Sequence, residues 1–322
     1  MSKGIIAKKL FYALITILIV LIFNYILFRV LPGDPLAMMM RNPRATPEQI
    51  EAVKQLYGLD QAWYIQFLTY FKHLFQGNLG TSFIYKSPVT DVISTRIMPT
   101  VLMVGLAEVI AILVGILFGV IAAWKRGTKI DVGTLGFSLV TYSVPTFWLG
   151  MIMVVLFCVQ LRWFPTSGML TPGKTFLTTG AKISDLLRHL VLPVLTMSLV
   201  LIGEYALTMR NTLIDVLSED YITTARAKGF RERYILMKHA LPNAMLPMIT
   251  IIAINIGFVV AGAIQIETIF SWPGLGRLMY EALGARDYPL LQGIFLLTTI
   301  SVVLANVLAD ISYSYIDPRV KN

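Results

Sequence analysis

The chain contains 322 residues, of which 56% are hydrophobic and only 14% are charged, and its formal net charge is +9. Soluble domains carry about 25% charged residues. A mean hydropathy of +0.72 therefore excludes a single soluble core and indicates that lipid surrounds much of the chain. The basic residues form short runs beside apolar stretches instead of one positive face, which argues against a nucleic-acid-binding protein.

Long apolar stretches predict membrane-spanning helices, each of which needs about 20 mostly apolar residues. The first stretch follows three lysines and resembles a signal peptide, but it is too long and no Ala-x-Ala cleavage site follows it. We therefore expect a retained anchor. The sequence predicts an all-α polytopic membrane protein with six transmembrane helices, at residues 10–30, 100–124, 135–161, 190–209, 245–270 and 290–311.

Basic residues close to the span ends predict the orientation. With six spans, both termini lie on the same side of the membrane, and positively charged residues near span ends favour the cytoplasm. The residues on this side include Lys3, Lys8, Lys9, Lys125, Arg126, Lys129, Arg210, Arg226, Lys228, Arg319 and Lys321. We therefore expect both termini and the loop of residues 210–244 to be cytoplasmic.

The spans divide the chain into four regions. These are the cytoplasmic N-terminus with the first transmembrane helix (1–30), an outer loop with short helices (31–99), a five-helix core that contains the cytoplasmic loop 210–244 (100–312), and a cytoplasmic tail (313–322). In the outer loop, a cap at Thr46 and a stop at Gly58 predict one short helix. Apolar periodicity predicts a second at residues 63–75.

Residues 168–175 match the phosphate-loop pattern G-x-x-x-x-G-K-[ST]. The pattern binds phosphate only between a strand and a helix, whereas here it lies in a predicted outer loop. Pro172 also removes one backbone N–H that the phosphate cradle would need. We interpret the match as coincidence and find no H-E-x-x-H or G-x-S-x-G motif, so the sequence predicts neither ATP hydrolysis by this chain nor another enzyme activity.

The cytoplasmic loop predicts two helices. Ser218 can cap the first, and the acidic residues Glu219 and Asp220 suit its positive end. The helix then continues through residues 221–228 to a natural stop at Gly229.

The second helix of the loop carries a regular apolar stripe. Phe230, Tyr234, Met237 and Leu241 recur at helical spacing, and Pro242 is expected to break the helix before span five. A helix in a groove is one way in which such a loop could receive force from a partner. From the residues alone, a plain surface linker remains the alternative.

Four residues of this loop, Ala225, Gly229, Leu241 and Pro242, have the spacing of the EAA loop, EAA-x3-G-x9-I-x-LP, in binding-protein-dependent ABC importer permeases. The run of residues 220–229 resembles the form found in the dipeptide, oligopeptide and nickel branch. Thr223, Thr224 and His239 depart from the general consensus in the direction of that branch.

Further segments carry the resemblance along nearly the whole chain. They are residues 31–35 (LPGDP), 57–60 (YGLD), 77–82 (GNLGTS), 142–148 (YSVPTFW), 267–276 (ETIFSWPGLG), 286–289 (RDYP) and 317–319 (DPR). The sequence is similar to the B-type subunit, the first of the two permeases in such systems. The resemblance implies the type I ABC importer permease fold in the bacterial cytoplasmic (inner) membrane.

The resemblance also implies partners and a mechanism. The partners are a homologous second permease that completes a heterodimer, two ATP-binding subunits and an extracytoplasmic substrate-binding protein. This chain would hold no cofactor, because ATP and magnesium would be bound by the ATPase subunits, and transport would follow alternating access. The residues implied in ATPase coupling are Glu219, Asp220, Tyr221, Thr224, Ala225, Arg226, Ala227, Lys228, Gly229, Phe230, Leu241 and Pro242.

Polar residues inside apolar spans are costly and often functional. Candidates for the translocation pathway are Glu204, Tyr205, Asn255, Glu267, Tyr142 and Ser143. For Glu267 the alternative is a hydrogen bond that holds the following outer turn, and Glu108 is expected to be structural. Pro145, Gly257 and Gly262 permit either bending or close packing, and we expect packing.

Alternatives remain for the class of protein and, within the preferred class, for the substrate. The residues alone also allow an ion-driven secondary transporter, although neither an intramembrane proton relay nor an internal repeat is evident, and a membrane enzyme is a weaker alternative. Within the ABC importer interpretation, di- or oligopeptides are the expected substrates, with nickel chelates, glutathione and oligosaccharides as alternatives.

Overall fold

The computed structural model describes residues 3–30, 47, 51 and 61–316. Several sequence predictions lie outside this part of the chain. These are the outer-loop helix at residues 46–58 apart from positions 47 and 51, the motifs at 31–35, 57–60 and 317–319, and the end of the cytoplasmic tail.

Regular structure in the described part is helical, apart from an isolated bridge between Thr81 and Pro88. The predicted short helix at residues 63–75 is confirmed as α2. The α-helices are α1 Lys3–Val30, α2 Trp63–Phe75, α3 Val89–Trp124, α4 Lys129–Ser143, α5 Thr146–Met153, α6 Thr179–Leu217, α7 Asp220–Ala227, α8 Glu232–Tyr234, α9 Leu241–Val259, α10 Ile264–Ile269, α11 Leu275–Gly284 and α12 Tyr288–Ile316. Two π-helices follow α5 and α8: π1 Val154–Gln160 and π2 Ile235–Ala240.

Five helical segments of the described residues are long and apolar enough to cross a membrane, and a bent pair supplies a sixth span. The all-α, six-span architecture is therefore confirmed. The bent pair is α4 with α5 and π1, whose axes meet at 98°. The continuous helix expected at residues 135–161 is wrong, because Pro145 has no N–H to donate and forces Val144 into extended backbone with ψ 127°. Pro145 thus bends the span, contrary to the packing role that we expected.

The fifth span is also shorter than predicted. Helix α9 ends at Val259, and the chain turns at Gly262, where φ is +78°, before α10 begins. Such a backbone angle favours glycine. Gly262 therefore makes a turn, whereas Gly257 has the expected packing role, since a Cβ there would lie 2.8 Å from Cβ of Ala305 on α12.

Helix α6 lies at the centre of the described bundle and packs along α3. Two glycines of α3 allow this close approach. A Cβ at Gly115 would lie 2.5 Å from Cβ of Tyr205, and a Cβ at Gly119 would lie 2.6 Å from Cβ of Met209. Small residues at membrane helix interfaces let backbones come together in this way. The α3–α6 pair therefore forms the frame that carries both α7 and the polar residues between the spans.

Candidate coupling surface and transport cleft

Helix α7 is attached to the membrane core by one face. Ile222 is fully buried and Ala225 is 7% exposed, and both pack in a cluster with Met209 and Leu213 of α6 and with Ile235. On the opposite face, Tyr221, Thr224, Ala227 and Lys228 are exposed. The small side chain of Ala225 thus allows α7 to approach the chain's own core, and the exposed face is the part that a partner can reach.

The ends of α7 are fixed by backbone geometry. The predicted cap at Ser218 is wrong, because α6 extends to Leu217 and the Ser218 hydroxyl donates to the Ile214 carbonyl at 2.9 Å. Glu219 occupies the N-cap position instead, in extended backbone. At the other end Gly229 adopts φ +81°, the left-handed conformation that ends helices.

An ion pair spans the turn that follows α7. Arg226 Nε donates to Glu232 Oε1 at 2.9 Å, and Arg226 Nη2 donates to Glu232 Oε2 at 3.4 Å. Both side chains are about half exposed, so the pair contributes little to stability. It links the last turn of α7 to the start of α8 across Gly229.

Most of the apolar stripe predicted for the second helix faces outwards, but its last residue, Leu241, is partly buried and packs against the core cluster. Phe230, Tyr234 and Met237 are between 46% and 56% exposed, whereas Ile235 and Leu236 face the core. The rings of Phe230 and Tyr234 stack with centroids 5.2 Å apart. Exposed apolar patches of this kind mark interaction sites. We define the coupling surface as Tyr221, Thr224, Ala227, Lys228, Phe230, Tyr234 and Met237.

Pro242 does not break this helix, contrary to the prediction. It occupies the first turn of α9, where a missing N–H is tolerated. The chain reaches that turn through π2, in which Leu241 N–H donates to the Leu236 carbonyl, five residues back. A π-helical segment accommodates such wider bonding. The stripe is thereby continuous with the fifth span, since Glu232–Val259 forms one helical run.

Two of the predicted pathway residues meet in the interior of the bundle. Asn255 Nδ2 donates to the Tyr205 hydroxyl at 3.0 Å, and that hydroxyl donates to Oε1 of Glu108. Tyr205 is fully buried and Glu108 is 4% exposed. These contacts join α3, α6 and α9 and favour a structural role for Tyr205 and Asn255 over a place on the pathway. Glu204, the neighbour of Tyr205, is partly buried.

Glu267 holds the turn between α10 and α11. Its Oε1 accepts a hydrogen bond from Thr100 Oγ1 at 2.9 Å and its Oε2 accepts one from the Arg277 N–H at 2.8 Å. The side chain is fully buried, and a Cβ at Gly274 would lie 2.4 Å from its carboxyl carbon. The contacts favour the turn-holding alternative over the predicted pathway role.

We expect Glu267→Gln to lower the stability of the assembled protein without changing its apparent affinity for substrate. The carboxylate offers one oxygen to the Thr100 hydroxyl and one to the Arg277 N–H. The amide offers an oxygen to only one of them, so one hydrogen bond is lost or must be reversed, at a cost of about 0.5–1.5 kcal/mol. Thermal unfolding of the purified protein and the KM of uptake would be compared with those of the unsubstituted chain. A changed KM at unchanged Tm would restore the pathway role.

A cleft of about 440 Å³ lies at the two helix breaks. One wall comes from the start of α5 with Thr146, another from α6, and a third from the turn at Gly262 and the beginning of α10. Tyr142 and Ser143 are exposed just before the break at Pro145. The lining residues are Thr146, Met197, Val200, Leu201, Gly262, Ala263, Ile264, Gln265 and Ile266.

Gln265 was missed in the sequence analysis. It is exposed and is the longest polar side chain of the cleft lining. The signal was a polar residue three positions after Gly262 inside an apolar span. It could be interpreted only after the break at Gly262 showed which face of α10 is open.

Comparison with known proteins places the chain in a family. Residues 115–322 match the binding-protein-dependent transport system inner membrane component family, and residues 1–104 match the N-terminal domain of such components. The chain belongs to this family, the permeases of ABC importers. An ion-driven secondary transporter is thereby set aside.

Curated relatives cover nearly the whole permease. The oligopeptide transport system permease protein AppB of Bacillus subtilis is 36% identical over 93% of each chain. A putative peptide permease protein of Brucella suis biovar 1 is 39% identical over 97% of each chain. The glutathione transport system permease protein GsiC of Salmonella typhimurium is 36% identical over 98% of this chain and 97% of its own. The resemblance to the peptide branch is confirmed.

Solved structures support the fold. A chain of the MetNI methionine ABC transporter, in inward facing conformations, matches with a TM-score of 0.55 and 17% identity over 71% of the permease and 97% of that chain. The type I importer permease fold is thereby confirmed. Together with the membrane-spanning helices, the family identifies a multi-pass inner-membrane protein that works with an ATPase and other components.

The segment that matches the phosphate-loop pattern, residues 168–175, binds a carboxylate of the permease itself. Asp185 at the start of α6 accepts hydrogen bonds from the Thr171 N–H and hydroxyl, both at 2.8 Å, and pairs with Lys174 Nζ at 3.2 Å. A hydrogen bond from Gly168 N–H to the Phe270 carbonyl, 2.8 Å long, ties the loop to α10. These contacts hold the loop in the chain's own hydrogen-bond network, in agreement with a coincidental match.

Proposed function

We propose that the permease carries di- or oligopeptides inwards across the bacterial inner membrane. The cleft at the two helix breaks is the observation that supports this proposal most directly. Its lining is apolar except for Thr146 and Gln265 and carries no charged side chain. Such a surface suits peptides of varied sequence, since the amide and hydroxyl can bond to a peptide backbone while apolar walls tolerate different side chains.

The relatives agree with a peptide substrate. Two of them are named as oligopeptide or peptide permeases, and a third as a glutathione permease. Glutathione is itself a small peptide and remains the favoured alternative. Nickel chelates and oligosaccharides are alternatives without a named relative among these three.

The proposed assembly contains a homologous second permease, two ATP-binding subunits and an extracytoplasmic substrate-binding protein. ATP and magnesium would be held by the ATP-binding subunits, so that this chain has no cofactor and no catalytic residue of its own. The coupling surface supports a cytoplasmic partner, because an exposed apolar stripe belongs to the same helical run as a span. The basic span ends support cytoplasmic termini.

In the proposed mechanism, closure of the ATP-binding subunits displaces α7 and the stripe of Phe230, Tyr234 and Met237. Ile222 and Ala225 transmit this displacement to α6 because they pack against its side chains. The spans then rearrange so that the cleft opens outwards, accepts a peptide and later releases it inwards. Hydrolysis of ATP resets the arrangement.

Reconstitution of the four kinds of subunit in lipid vesicles tests this proposal. Labelled peptide should accumulate inside the vesicles only when ATP and the binding protein are supplied on the appropriate sides. Uptake that follows an ion gradient without ATP, or uptake of nickel or oligosaccharide in preference to peptides, would contradict it.

Replacement of Gln265 with alanine should raise the KM of peptide uptake. Loss of one hydrogen bond in the cleft corresponds to about 0.5–1.5 kcal/mol, or roughly three- to tenfold. Because Gln265 is exposed, the Tm of the complex should not change, the opposite of the result expected for Glu267→Gln. An unchanged KM would remove Gln265 from the pathway.

A further inference from the structure

An ion pair joins α4 to α6 on the side of the bundle that carries α7. Arg210 Nε donates to Asp131 Oδ1 at 2.6 Å, and Arg210 Nη2 donates to Asp131 Oδ2 at 2.9 Å. The Arg210 and Asp131 side chains are 16% and 6% exposed. A two-pronged pair of a guanidinium and a carboxylate fixes relative orientation as well as distance.

The surroundings of the pair hold it in one geometry. The Gly127 N–H, in the turn before α4, donates to Asp131 Oδ2 at 2.9 Å. Arg210 Nη1 also donates to the Asn211 side chain at 3.3 Å. Ion pairs removed from water add little net stability because desolvation offsets their attraction. The main contribution of this pair is therefore to fix the orientation of α4 relative to α6.

The pair lies between the coupling surface and the cleft. Arg210 follows Met209, which packs in the same cluster as Ile222 of α7. Asp131 is in the first turn of α4, which ends at Ser143, two residues before Pro145. Thr146, the next residue, lines the cleft.

A second contact holds α4 against α6 closer to the cleft. A Cβ at Gly203 would lie 2.6 Å from the Ser138 carbonyl oxygen and 3.0 Å from the Tyr142 nitrogen, so the two backbones touch. Gly203 and Arg210 are about 10 Å apart along α6 at 1.5 Å per residue. Helix α4 is therefore held to α6 at two points of this separation.

We propose that Asp131 and Arg210 form a coupling latch, which makes α4 follow α6 when a partner displaces α7 and so transmits the movement to the wall of the cleft. The latch deepens the proposed function and rests on it. Both residues are positioning residues, since neither lines the cleft. Without the latch, α6 would still respond to α7, but the wall at Thr146 would follow less closely.

The test uses the complete reconstituted complex and measures peptide uptake and ATP hydrolysis in the same vesicles. Asp131→Asn keeps the shape of the side chain and removes its charge. We expect uptake to fall about tenfold, within the usual range of coupling between sites, while ATP hydrolysis stimulated by the binding protein stays within about twofold of the unsubstituted complex. The ATP used per peptide would therefore rise.

Two further variants separate the latch from a merely structural role. Arg210→Lys retains the charge but loses the two parallel hydrogen bonds of the guanidinium. Its ATP-to-peptide ratio should therefore lie between those of the unsubstituted complex and Asp131→Asn. The double variant Asp131→Asn with Arg210→Gln should be no worse than the poorer single variant, because the two residues act as one unit. The control is Asp215→Asn, an equal change at an exposed position of α6, which should leave the ratio unchanged.

Transport by the unsubstituted complex establishes the proposed function separately in the same vesicles. If that complex transports and Asp131→Asn keeps its ATP-to-peptide ratio, the latch is overturned and the proposed function stands. A proportional fall of uptake, hydrolysis and complex yield in all latch variants would also overturn it, in favour of a structural pair.

Discussion

Replacement of Gly115 with leucine is expected to abolish assembly of a stable permease. A Cβ at this position would lie 2.5 Å from Cβ of Tyr205 and 3.1 Å from the Ile202 carbonyl oxygen, so α3 and α6 would have to separate. Overpacking of a well-packed core costs about 1–3 kcal/mol and more where backbone must move. The same separation would also break the hydrogen bond between Tyr205 and Glu108.

Gly133→Leu is the matched control for this substitution. Gly133 is also a helical glycine, on α4, but it is exposed and a Cβ there meets nothing within 4 Å. The yield of monodisperse complex in detergent and its Tm should therefore fall for Gly115→Leu and remain unchanged for Gly133→Leu. Equal behaviour of the two variants would contradict the close packing of α3 on α6.

Replacement of Gly229 with leucine is expected to uncouple transport while the protein still inserts into the membrane. Gly229 has φ +81°, and a bulky L-residue in this conformation costs roughly 1–2 kcal/mol. A Cβ there meets nothing within 4 Å, so the effect comes from backbone strain and not from a clash. The strain would be relieved by a change in the angle between α7 and the stripe of Phe230 and Tyr234.

The measurements are peptide uptake and ATP hydrolysis stimulated by the binding protein in vesicles. We expect uptake to fall about tenfold for Gly229→Leu, since the strain is of the size of typical coupling energies. Gly229→Asn should retain most of the uptake, because asparagine tolerates the left-handed conformation. Normal uptake and normal hydrolysis in Gly229→Leu would show that the geometry of this turn does not matter for coupling.

The results for Gly229 and Pro242 show how far the sequence alone could predict the loop of residues 210–244. Gly229 was identified as a helix stop, and the structure confirms this, because left-handed backbone is a local property that glycine reveals. Pro242 was expected to break the second helix, but it begins α9 instead. Proline lacks a backbone N–H whether it ends a helix or lies in the first turn of one. Only the structure, in which a π-helix precedes Pro242, shows that the second case applies.

The membrane-embedded polar residues show more clearly what the sequence alone could not predict. The sequence marked Tyr205, Asn255 and Glu267 as unusual because a polar group in lipid is costly. It could not show that Tyr205 pairs with Glu108 and Glu267 with Thr100, since those contacts join residues 97 and 167 positions apart in the chain. Gln265, one of two polar residues in the cleft lining, carried no stronger sequence signal than the buried Glu267 two positions later.

By itself the sequence determined the membrane location, the helical class, the six spans and the family, because hydropathy, charge near span ends and motif spacing are properties of consecutive residues. Only the tertiary structure decided which face of each helix is open, where Pro145 and Gly262 interrupt the spans, and that Asp131 meets Arg210. These depend on contacts between distant helices. Periodicity shows that a stripe such as Phe230, Tyr234 and Met237 exists, but packing decides whether it faces the core or a partner.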